Sequence, residues 1–128
     1  MNNLRKIVTI AINSLIHFSH LKVILRSIFF LRNPVYSDEK HLTATMIWLK
    51  RSQDEAKDGG CSGVYTFMSG WKPPYPETTG YIIPTFLNYS DLTSDADYLE
   101  RAKIMGDWEI RIQLPSGAIR GGVGINDY

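Results

Sequence analysis

The sequence predicts an all-α chain of helical hairpins, interrupted by one long aromatic loop or short β-ribbon. Three observations carry this expectation. Segments with apolar residues at helical spacing alternate with runs of proline, glycine and serine that stop helices. Residues suited to capping a helix N-terminus stand at Ser37 and at Ser94 or Asp95. Finally, Trp48, Arg51 and Gln53 match Trp108, Arg111 and Gln113, each pair 60 positions apart. Each copy ends in a glycine-rich turn, Gly59-Gly60 and Gly121-Gly122. The implied unit is two helices, one outer and one inner. Such units bury their faces against neighbours and normally need roughly three or more copies for stability. About two fit here, and the chain stops at Tyr128 just after a turn, so an incomplete array is expected. Its open end would leave an apolar face uncovered, which predicts self-association.

The first element spans residues 1–33, a basic arm. At ~100° per residue, Lys6, Thr9, Asn13, His17 and His20 fall on one stripe of a helix, opposite Leu4, Ile7, Ala11, Leu15, Phe18 and Leu25. Asn13, His17, His20, Lys22 and Arg26 interrupt the apolar stretch, so no run approaches the ~18 apolar residues of a spanning helix. Asn13 and Ser14 also break up any signal-peptide core, and no small-x-small cleavage site follows. Residues 1–37 hold five basic side chains and no acid, whereas the remainder carries nine basic and thirteen acidic groups. An arm of this kind either packs on the body or lies on an anionic membrane surface; packing is the expectation. The chain is accordingly expected in the cytoplasm, at the membrane periphery if the arm binds lipid.

Pro34 ends the arm, because proline disfavours helix in the residue before it. Ser37 then caps a second helix running to about Gln53, with Asp38 and Glu39 in the first turn, where the helix dipole favours acids. Leu42, Met46, Trp48 and Leu49 supply its apolar stripe. From Asp58 to Pro76 glycine and proline exclude a helix, and a short β-ribbon fits the middle. A third helix is expected from about Thr78 to Tyr89, apolar nearly all round and hence buried, with Pro84 in its first turns. Ser94 or Asp95 caps the fourth, which runs to about Gln113 and stops at Pro115, Ser116 and Gly117. The second, third and fourth helices form one domain, 34–128.

Within residues 34–125, four phrases resemble the start of a family of bacterial polysaccharide-biosynthesis proteins. They are Asn33-Pro34-Val35-Tyr36-Ser37-Asp38, Trp48-Leu49-x-Arg51-x-Gln53-Asp54, Tyr75-Pro76-Glu77-Thr78-Thr79-Gly80-Tyr81-Ile82-Ile83-Pro84-Thr85, and Gly106-Asp107-Trp108-Glu109 followed by Gln113-Leu114-Pro115-Ser116-Gly117-Ala118. The family's (α/α) toroid is related in shape to the C-terminal domain of D-glucuronyl C5-epimerases. The resemblance implies that this chain forms the first helix pairs of a longer toroid, six pairs in roughly 360 residues. It further implies a substrate bowl lined by inner-helix N-termini, with a polysaccharide or oligosaccharide as partner.

On that footing Glu77 sits at the rim, immediately before the third helix, flanked by Tyr75 and Tyr81 as the catalytic set. Tyr65, Phe67, Trp71 and Asp58 come from the loop as substrate contacts. Aromatic faces stack on sugar rings, and a carboxylate among phenols can act as general acid or base. Proton abstraction, as in epimerisation or elimination, and glycosidic hydrolysis both stay open. Either needs a second acid–base group, for which Asp58 and Asp107 are candidates. The plainer roles are a first-turn acid at Glu77, worth about 0.3–1 kcal/mol, and a turn residue at Asp58. An alternative of another class is a non-catalytic helical module in an envelope-polysaccharide assembly.

Other chemistries find little support. The net charge of +1 gives nucleic acid no purchase. Cys61 stands alone, without an internal disulfide partner, and reads as a small buried or loop residue. His17 and His20 have no third metal ligand nearby, and Gly121, Gly122 and Gly124 neither follow a strand nor precede a lysine as a phosphate loop would. No metal or cofactor is expected.

Overall fold

The structure, a computed structural model, describes residues 3–16, 18–29, 34–119 and 121–122, without the side chains of 13–19. Among the described residues the elements are α1 (Asn3–Ile16), α2 (Phe18–Ile28), α3 (Asp38–Ala56), β1 (Tyr65–Thr66), β2 (Gly70–Trp71), α4 (Pro76–Thr93) and α5 (Ala96–Ile112). The protein is mostly helical, with one small antiparallel hairpin.

Ser37 caps α3 as expected, its hydroxyl accepting from the Lys40 amide at 3.4 Å. The helix runs three residues past Gln53 and closes on Lys57, held at φ 64° in the left-handed region. The hairpin pairs Tyr65 with Trp71 and Thr66 with Gly70. Gly70 takes φ 67° where the three-residue turn closes, a conformation that glycine adopts without strain.

Two features of α4 differ from expectation. It begins at Pro76, so Glu77 lies inside its first turn rather than before it. Nor is it buried all round: Pro76, Thr79, Ile82, Phe86 and Ser90 form one buried face, while Tyr81 is 73% exposed. The reason is that α5 covers one side along its length. Pro84 falls in the third turn; the hydrogen bond it cannot donate would end on exposed Gly80, where solvent can serve instead.

Ser94 and Asp95 alone connect α4 to α5. Ser94 turns the chain at φ 59°, and Asp95 caps α5 by accepting from the Asp97 amide at 3.0 Å. So short a link makes the two helices an antiparallel pair. Tyr98, Ala102, Met105, Trp108 and Ile112 recur at helical spacing and bury the inner face of α5. Phe86 meets Tyr98 edge-on at 5.2 Å, and Met46 of α3 and Cys61 complete the core.

Polar clamps fasten the remaining pieces. Gln53 donates to the Gly59 and Arg101 carbonyls and accepts from Arg101 at 3.0 Å. Arg101 also meets Asp54 at 2.7 Å and Asp97 at 3.0 Å, and Lys50 meets Asp97 at 2.5 Å. The loop after α3 is pinned by the fully buried Thr79, whose hydroxyl accepts from the Cys61 amide at 2.9 Å.

The arm departs most from expectation. It forms two helices rather than one, and the apolar stripe of α1 faces outward: Leu4 is 65% exposed and Ile7 63%. Contact with the body comes instead from the polar stripe, through buried His20. His17, Gly124 and the side chains of Asn13, Ser14, Leu15 and Phe18 lie outside the described residues. Among the described residues no helix is long and apolar enough to cross a membrane.

Candidate functional site

The antiparallel α4–α5 pair sets the start of α4 beside the end of α5. There a hollow of about 380 Å³ is lined by Tyr75, Pro76, Glu77, Gly80, Glu109 and Ile119. Tyr75 donates its phenol proton to Glu77 Oε2 at 2.7 Å, fixing the carboxylate at the rim. Glu109 enters from the last turns of α5. Its Oε1 is buried without a hydrogen-bond partner among the described residues. That burial holds its carboxyl above the ordinary glutamate range. Two carboxylates in unlike surroundings thus line one hollow.

Neither a family model, nor a curated protein, nor a solved structure matches this chain.

Of the expected catalytic set, Tyr75 and Glu77 come together here. Tyr81 lies four residues beyond Glu77 on the same exposed side of α4, outside the lining of the hollow. The expected second acids are elsewhere. Asp107 is exposed on α5. Asp58 works in a turn, its carboxylate accepting from the Gly60 amide at 3.2 Å and its carbonyl from Arg111. Glu109, not one of the expected acids, is the second carboxylate lining the hollow. Its signal was present in the sequence: Met105, Trp108 and Ile112 mark a buried stripe, and Glu109 falls at its edge.

Tyr65, Phe67 and Trp71 gather at a second place, and none of them lines the hollow. Tyr65 and Trp71 meet edge-on across the hairpin at 5.1 Å, and Trp48 of α3 lies 4.6 Å from Trp71. His20 of α2 closes the group, 4.9 Å from Phe67 and joined to the Tyr65 hydroxyl by a 2.6 Å hydrogen bond. Trp71 Nε1 is buried without a partner among the described residues.

The matched tryptophans have unlike surroundings. Trp108 is buried at 1% exposure against Gly60, whereas Trp48 is half-exposed in the aromatic group. The matched glutamines keep a common habit, each donating to a glycine carbonyl in the turn that follows, Gly59 or Gly117. Cys61 is fully buried, its sulfur 3.3 Å from that of Met105, and burial pushes its thiol up to about 11. Among the described residues, no three histidine, cysteine or acidic side chains group as metal ligands would.

Proposed function

We propose that the hollow between α4 and α5 binds a polysaccharide chain and, in an α/α-toroid array, takes part in modifying it by acid–base chemistry. The pairing of Glu77 with Glu109 in one hollow carries this reading. A carboxyl whose proton is held more tightly by burial, as at Glu109, can deliver that proton to a glycosidic or ring oxygen. A second carboxylate, steadied by Tyr75, can accept a proton from carbon or water. Epimerisation, elimination and hydrolysis all draw on that pair. Tyr81, exposed one turn further along α4, offers an aromatic face on which a sugar ring can stack. The two-residue link between α4 and α5 agrees with a helical-hairpin unit of such an array.

The test is calorimetric titration of the chain with neutral and uronic-acid oligosaccharides. Glu77→Gln, Glu109→Gln and Tyr81→Ala should each weaken binding at least several-fold while leaving the fold intact. A chain that binds none of the sugars, or variants that bind as the parent does, would refute the reading. The second reading, a non-catalytic helical module of an envelope-polysaccharide assembly, draws support from outward apolar side chains such as Ile110 and Leu92, each 71% exposed. Capture of a protein partner that depends on Ile110 and not on Glu77 would favour it.

A further inference from the structure

We propose that α1 and α2 lie on an anionic lipid surface, apolar stripe down, and hold the helical body against the membrane. The stripe is formed by Leu4, Ile7, Val8 and Ile12, spaced three or four apart and hence on one side of α1. All four are exposed, from 47% to 65%. Thr9 and Ile10 are less exposed, which turns the other flank of α1 inward. A hollow beside α1 is shared by Leu4, Arg5, Lys6, Val8 and Thr9 with Met68 of the hairpin turn, so Ile7 and Ile12 form the part of the stripe that lies outside it. Further along the arm, α2 adds exposed Leu25 and Phe29, the latter just beyond its end.

Charge selects the occupant. Residues 1–37 contain five basic side chains and no acid, although the rest of the chain is acidic. Arg5 borders the apolar stripe, and Lys22 lies exposed on α2 beside Phe29 in projection, on the side away from Leu25. Their apolar stems can follow the acyl boundary while the charged ends reach phosphate or carboxylate headgroups. Pairing of the arm with its own counterpart in a second copy would instead bring cations together with no acid between them. Depth is limited too. At 14 residues, α1 is about 21 Å long, short of the ~30 Å hydrocarbon core, so it fits the interface and not a crossing. Joined to the hairpin through the His20–Tyr65 hydrogen bond, the arm would hold the aromatic group near the lipid.

Flotation of the 128-residue chain with vesicles decides the matter. The probes are phosphatidylcholine alone and a 7:3 mixture of phosphatidylcholine with phosphatidylserine. Binding to the anionic vesicles should exceed binding to the neutral ones by more than about tenfold, since each cation near such a surface contributes about a fivefold gain. It should fall in ~0.5 M salt, where the screening length shrinks to a few ångströms. Ile7→Glu with Ile12→Glu should abolish it, and Arg5→Gln with Lys22→Gln should lower it at least tenfold, without shifting the melting of the core. Absence of binding to anionic vesicles would overturn the proposal. So would equal binding to both lipids that ignores salt and the charge variants. A dimer that dissociates on Ile7→Glu, with no vesicle binding, would assign the stripe to a second copy instead.

Discussion

Alanine at Gly60 should be among the most damaging single-methyl additions in the chain. A Cβ built there stands 2.7 and 2.8 Å from Cε2 and Cδ2 of the Trp108 indole and 2.9 Å from Cβ of Pro74. Neither neighbour yields easily. Trp108 is 1% exposed with its ring enclosed, and Pro74 is a rigid ring held by a bridge to Ser62. Overpacking a well-filled core costs about 1–3 kcal/mol. At about 4 °C per kcal/mol for a chain of this size, Gly60→Ala should lower Tm by about 4–12 °C. The control is the same substitution at Gly80, inside α4, where a Cβ meets nothing within 4 Å. There the backbone entropy lost by glycine in a helix is recovered, and Tm should rise by about 2–4 °C. Thermal unfolding followed by far-UV circular dichroism, with light scattering to confirm a single species, measures both. Gly60→Ala melting within ~1 °C of the parent, or Gly80→Ala falling as far as Gly60→Ala, would refute the packing argument.

Four further outcomes are expected. Thr79→Val removes the acceptor of the buried Cys61 amide and should cost about 1–3 kcal/mol in urea unfolding. Asp97, whose carboxyl Lys50 and then Arg101 hold below its usual range, contributes stability above its unfolded pKa that is lost as pH falls through the folded one; Asp97→Asn should flatten the acid limb of the stability profile by a few tenths of a kcal/mol, since the pair is half-exposed. Glu109 has the opposite sign: with its folded pKa raised, stability is full below the unfolded value and declines as pH rises through the folded one, so Glu109→Gln should stabilise the chain at neutral pH and leave it unchanged in acid. Cys61 should resist thiol reagents in the native chain and react at once in denaturant; rapid native modification would contradict its burial.

Helix boundaries were the most legible part of the sequence, because caps and breakers act locally. Ser37 and Asp95 capped the helices expected of them, and the ribbon formed between Gly60 and Pro73 as the turn residues implied. Burial was less legible, since it depends on what lies opposite. Periodicity alone made α4 look enclosed, but with α5 along one side Tyr81 points outward. The same reason misdirected the arm: its apolar stripe suggested a packed face, while a histidine from the polar stripe made the contact. At the hollow, Tyr75 and Glu77 are neighbours in sequence and were found together. Glu109 comes from 32 positions away and meets them only because α4 and α5 run antiparallel.

The two-residue link at Ser94–Asp95 also has a bearing on how the molecule assembles. Contacts between α4 and α5 close a very short loop, so little chain entropy is lost in forming them. The hydrogen bonds that attach α3 span 48 positions, from Gln53 to Arg101. Ordering that longer stretch is repaid only once the pair already exists to receive it. Substitutions such as Phe86→Leu should therefore slow folding, whereas Gln53→Ala should act mainly by hastening unfolding. Amide exchange would follow the same order, with the inner faces of α4 and α5 the last to open.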